Sequence, residues 1–228
     1  MTRGVDWIAA LDELGLVHRK EQAALLRDAA SLVCATSRRG RPFVAGAARA
    51  RWRQACLEAI TVAEADRVDV EPLLRNLAAD PVARWPAASR LARASLALDR
   101  CVAGSVALAR AWICENETRA AIELLCELAA GPPHAPDRCD VLEALALALE
   151  SAGALDESLD AYASALRIPG CAPRVAVSMF ALALRRGDAA WIDFASARLL
   201  DLDLSIPGVR TRFQVALARA VERAVVSI

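Results

Sequence analysis

Apolar side chains recur at helical spacing along most of the chain. Trp7, Ile8, Leu11 and Leu14 predict a first helix, with Gly15 placed to end it in a left-handed cap. A second helix is expected over 19–35, with Leu25, Leu26, Ala29, Leu32 and Val33 on one face. The polar stretch SRRGRPF, with Gly40 and Pro42, reads as a loop. Trp52, Cys56, Ile60 and Ala63 then mark a third helix over 44–64. Further helices are expected over 69–79, 87–101 and 105–115, separated by Asp80-Pro81, Trp85-Pro86 and a junction at Gly104. A last helix over 206–227 carries Phe213, Leu217, Val221, Ala224 and Val225 as its apolar stripe.

Between 105 and 203 the pattern becomes periodic. Leu108-Ala109 and Trp112 precede a turn at Asn116, and Ala121, Leu125 and Leu128 follow. Leu142, Leu145-Ala146 and Leu149 precede Gly153, and Ser158, Tyr162 and Ala165 follow before Pro169. Met179-Phe180 and Ala183 precede Gly187, and Ile192, Ser196 and Leu199 follow. The turn residues are 37 and 34 positions apart, and the stretch GPPHAPDR absorbs the difference. Small residues such as Ala146 and Ser158 stand where two helices must approach closely, and Tyr162 and Leu149 fill the space between them. Gly153 supplies a positive φ without steric cost.

A helix-turn-helix period near 34 resembles the tetratricopeptide repeat (TPR), most closely in the segment LxxLAxxL…G…S…Y..A…P. The third segment departs from the pattern at Ile192, where the family prefers a small residue. The resemblance implies an all-α fold of antiparallel helix pairs stacked as a short right-handed solenoid. Divergent N-terminal helices over 1–65 precede repeats over 66–228, the best at 105–135, 139–170 and 173–203. The helix at 206–227 then caps the stack, covering a face that a repeat otherwise leaves open; the apolar tail AVVSI also allows a homodimer through it.

Composition agrees with helices. Ala and Leu dominate, aromatic residues are 4% of the chain, and Ala and Leu lose little on entering a helix. Formal charges balance at 28 of each sign, which excludes a global field for nucleic acid or an anionic membrane. Locally, residues 1–60 are net +4, and residues 121–170, with 2 basic and 9 acidic side chains, are net −7. The seven cysteines lack CxxC spacing and sit mostly among apolar residues, which suits reduced thiols and a cytoplasmic location. Asp6, Asp12 and Glu13 interrupt the N-terminal stretch where a signal peptide needs an apolar core, and no uncharged apolar run is long enough for a membrane span.

Candidate chemistry is sparse. Arg38, Arg39, Arg41, Arg49, Arg51 and Arg53, with Trp52 among them, form a basic patch that could hold phosphates and stack on a base. The same residues also fit a wet helix face with Trp52 turned inward. His134, Asp137 and Cys139 make at most half a metal site. No phosphate loop or hydrolase motif occurs, so neither catalysis nor a metal or cofactor is expected.

The resemblance implies a concave binding face lined by the first helix of each pair. Val106, Arg110 and Ile113 would come from the first repeat, Asp140, Glu143, Leu147 and Glu150 from the second, and Arg174, Val177, Ala181 and Arg185 from the third. A mixed apolar and charged groove suits an extended or helical peptide. The plainer reading is that Glu143 and Arg174 pair across neighbouring helices. The expected function is therefore protein–protein interaction, as adaptor, scaffold or secretion-type chaperone. The alternatives are a regulator whose Arg-rich N-terminal helices touch nucleic acid and an accessory subunit of an enzyme complex.

Overall fold

The computed structural model describes residues 7–37, 52–55, 57, 71–79, 85–131 and 137–200. Among the described residues every element is helical. The helices are α1 (Trp7–Ser37), α2 (Glu71–Ala79), α3 (Ala88–Leu98), α4 (Val102–Cys114), α5 (Thr118–Ala129), α6 (Arg138–Ser151), α7 (Leu155–Leu166), α8 (Pro173–Arg186) and α9 (Ala189–Leu200). None is long and apolar enough to cross a membrane. The chain packs as two compact units, Met1–Glu117 and Thr118–Ile228. The boundary expected near residue 65, most of the helix over 44–64 and the helix over 206–227 lie outside the described residues.

One expected break is absent and another is displaced. The first two helices are one, α1, whose 31 residues run through Gly15. A glycine inside a helix costs about 1 kcal/mol relative to alanine, which a long helix tolerates without ending. Gly104 lies inside the first turn of α4 rather than at a junction, and the break falls earlier, at 99–101. A Cβ on Gly104 would stand 2.7 Å from Leu96 Cδ2, so glycine lets α4 start close against α3.

In the first unit α1 packs against both α3 and α4, which also pack against each other. Small side chains make these approaches close: Ala23, Ala29 and Ala30 on α1, Ala92 and Ser95 on α3, and Ala109 and Ala111 on α4 are buried. The one hydroxyl in this group is satisfied, since Ser95 Oγ donates to the Ala23 carbonyl at 2.8 Å. The N-cap of α3, Ala87, offers no side-chain acceptor, and the Glu115 carboxylate takes the Ser89 N–H instead at 2.9 Å.

The second unit packs in chain order, α5 on α6, α6 on α7, α7 on α8 and α8 on α9. Leu142 and Ala146 of α6, Leu159 and Tyr162 of α7, Val175, Met179 and Leu182 of α8, and Ala195 of α9 share one core. Ala146 and Ser158 meet as their size predicts, Ser158 Oγ donating to the Ala146 carbonyl at 2.8 Å. Tyr162 is fully buried between them and α8.

The three expected turn residues share one conformation. Asn116 has φ 68°, Gly153 82° and Gly187 73°. In each turn the residue after it donates back to the carbonyl four positions before it: Glu117 to Trp112, Ala154 to Leu149, and Asp188 to Ala183. The turn residue itself donates to the carbonyl three positions before, from Asn116 to Ile113, Gly153 to Glu150 and Gly187 to Leu184. This bonding pair is the Schellman motif, which satisfies helix-end carbonyls only when one residue adopts the left-handed region.

Nothing stands within 4 Å of a Cβ added at Gly153, so Gly153→Ala tests the backbone term alone. It should destabilise the chain by about 1 kcal/mol in urea denaturation. Asn116→Gly should be neutral or slightly stabilising in the same measurement.

Candidate functional site

The candidate surface is the side of α6 and α8 that carries Asp140, Glu143, Leu147 and Glu150 opposite Arg174, Val177, Ala181 and Arg185. At one end Arg174 holds two carboxylates. Its Nε donates to Glu143 Oε1 and Oε2 at 2.8 and 3.0 Å, and its Nη2 donates to Glu143 Oε2 at 2.8 Å and to Asp140 Oδ1. Glu143 is only 4% exposed, a burial that a carboxylate tolerates when its oxygens are bonded to a cation. The Glu143 carboxylate raises the Arg174 pKa further above its already high value, against the opposing effect of burial.

At the other end Arg185 pairs with Glu150. Arg186, one residue on, reaches sideways to Asp156 at the start of α7. The arginines of α8 thus neutralise carboxylates from α6 and α7, and much of the local acidic excess is internally compensated. Leu147 lies between Glu143 and Glu150 along α6, and Val177 and Ala181 lie between Arg174 and Arg185 along α8; all three are half-buried. The result is an apolar strip closed at each end by an ion pair.

Tyr162 lies in the core against which Leu147 packs. Burial is the main reason its phenol pKa is pushed well above the usual value of 10.0, with the Glu150 and Glu143 charges adding to the effect. Ser178 and Arg185 favour the phenolate and oppose the shift.

The remaining candidates fall elsewhere. Val106 and Ile113 are buried on α4, which packs against α1 and α3, and Arg110 is half-buried on the same helix. The thiol of Cys34, on α1, lies 3.9 Å from the Arg110 carbonyl. These three residues therefore belong to the first unit, and Val106 and Ile113 are not open to a partner. Of the basic patch, Arg38, Arg39, Arg41, Arg49 and Arg51 lie outside the described residues, and Arg53 is exposed. Trp52 is half-buried against Trp85, ring centroids 4.8 Å apart and planes tilted by 42°.

The cysteines differ from the expectation of seven reduced thiols. Cys139 and Cys171 are bonded, with Cα atoms 5.8 Å apart. Among the described residues, Cys34, Cys101, Cys114 and Cys126 stand outside any disulfide. The bond removes Cys139 from the half metal site considered with His134 and Asp137. Among the described residues no group of three His, Cys, Asp or Glu side chains could hold a metal ion. The chain matches no protein-family model, no curated protein and no solved structure.

Two outcomes follow from this geometry. Arg174→Met takes the guanidinium from a buried carboxylate and should cost about 2 kcal/mol in urea denaturation. Arg185→Met should cost less than about 1 kcal/mol, because the Glu150 side chain is 24% exposed and water compensates it. Equal losses would show that burial of Glu143 is not what sets the cost.

Tyr162 is the chain's only tyrosine, so phenolate absorbance reads this site alone. Its folded pKa is raised, so its contribution to stability is fully present below pH 10 and is lost as pH rises above 10. Native protein should resist phenolate formation above pH 10, and Tyr162→Phe should flatten the alkaline fall in stability.

Proposed function

We propose that this chain is a non-enzymatic, TPR-like helical-repeat module that binds a peptide or protein segment, as an adaptor, scaffold or secretion-type chaperone. The binding surface in this reading is the strip of Leu147, Val177 and Ala181 between the Glu143–Arg174 and Glu150–Arg185 pairs. That strip is the observation that carries the reading: half-buried apolar side chains flanked by fixed charges of both signs favour a segment that is itself apolar and neutral. The recurrence of one left-handed helix cap at Asn116, Gly153 and Gly187 supports the repeat architecture on which the groove depends. The proposal narrows the expected groove to its α6 and α8 portion, since Val106 and Ile113 are buried. A cytoplasmic location belongs to the same reading, supported by the thiols of Cys101 and Cys126, which stand outside the disulfide.

The nucleic-acid alternative has less behind it, because Trp52 is packed on Trp85 rather than offered to a base. The homodimer alternative rests on the helix over 206–227, outside the described residues.

Capture of partners from a lysate by the immobilised chain, followed by affinity measurement with the captured segment, tests the reading. Leu147→Asp and Val177→Asp should each weaken binding at least about tenfold, because each sets a charge in the apolar strip. If both variants keep native helicity and bind every partner as before, this surface is not the binding site.

A further inference from the structure

We infer that Cys139 and Cys171 form a reversible thiol–disulfide latch that fixes the start of α6 to the start of α8. This inference does not rest on the proposed binding function.

Position comes first. Cys139 is in the first turn of α6, and Cys171 lies two residues before the first residue of α8. The bond therefore closes a loop over a sequence separation of 32, enclosing one whole helix pair, α6 and α7. Both cysteines are half-buried, packed against the edge of the core rather than within it. A small thiol or disulfide can reach such an edge, and opening the bond empties no part of the core.

A second tie joins the same two segments. Asp140 adjoins Cys139, and Arg174 stands three residues after Cys171; Arg174 holds both Asp140 and Glu143. This cluster keeps the helix starts together whether or not the sulfurs are bonded. The Cα separation of 5.8 Å lies within the range that a disulfide spans without backbone movement. The reduced thiols are thus held near bonding distance, and closing the latch requires only exchange.

The exchange balances with a low-molecular-weight disulfide as oxidant. One cysteine thiolate attacks it, forming a mixed disulfide and releasing one small thiol. The second thiolate attacks the protein sulfur of that mixed disulfide and releases the other small thiol. The protein pair loses two electrons and two protons, and the small disulfide is reduced to two thiols. The reverse steps open the latch.

The test is a redox titration of the full chain in buffers of reduced and oxidised glutathione, with alkylation and peptide mapping at each ratio. The expected result is that Cys139 and Cys171 convert together between the dithiol and the mutual disulfide, with unchanged helicity by circular dichroism. The oxidised form should melt about 10 °C higher, since the closed loop restricts the unfolded chain. Hydrogen exchange at the starts of α6 and α8 should slow on oxidation. Cys139→Ser and Cys171→Ser should each fold and lose the redox dependence of melting. A pair that stays dithiol at the most oxidising ratio, resists reduction at the most reducing one, or links instead to another cysteine overturns the latch. So does a loss of helicity on reduction, or the same melting temperature in both forms.

Discussion

The second unit depends on a left-handed residue at the end of the first helix of each pair. A short connection can reverse the chain only if the last helical carbonyls find donors, and the Schellman bonding provides them. That bonding forces one residue to positive φ, which Gly153 and Gly187 adopt freely. Once the direction is reversed, the helices must touch along their length. Ala146 and Ser158 allow this at α6 and α7, where a larger side chain at either position would push the axes apart. Tyr162 fills the remaining space, and its burial leaves the phenol with a raised pKa among the carboxylates of the face above it.

The charges follow from the same stacking. Alternate helices of the second unit, α6 and α8, present faces that carry opposite signs, acidic on one and basic on the other. Their pairing is asymmetric in energy. Glu143 is buried, so its bonds to Arg174 offset a large desolvation cost and matter for stability. Glu150 and Arg185 are wetter, and their bond mainly fixes side-chain position. Because these pairs consume the charges, the face between them presents an apolar strip rather than net charge.

The helices were largely legible in the sequence, and so was the turn chemistry, because Ala, Leu and Gly act locally. The two misplaced breaks have one cause: Gly15 and Gly104 read as punctuation, yet Gly15 lies within α1 and Gly104 within the first turn of α4. Glycine stops a helix only where the following chain reverses, and nothing local distinguishes Gly15 from Gly153 in that respect. The role of Val106 and Ile113 was not legible, since their burial depends on elements packed against α4 from far along the chain. Trp52 is half-buried, and its partner Trp85 lies too far along the chain for helical periodicity to pair them.

The missed disulfide was in principle visible. Cys139 and Cys171 are 32 residues apart, and the ionic partners Glu143–Arg174, Asp140–Arg174 and Glu150–Arg185 are 31, 34 and 35 apart. All four separations are close to the spacing between the turns at Gly153 and Gly187, because α6 and α8 meet at their starts and along their charged sides. Aligning the segments by their turns compares size and shape within each pair. Aligning them instead by what a residue would meet 31 to 35 positions later sets acid against base three times and cysteine against cysteine once. In a repeat array that second comparison reports contacts between units, which the apolar pattern within a unit does not carry. Here it identifies the α6–α8 junction as the place where covalent, ionic and apolar ties converge.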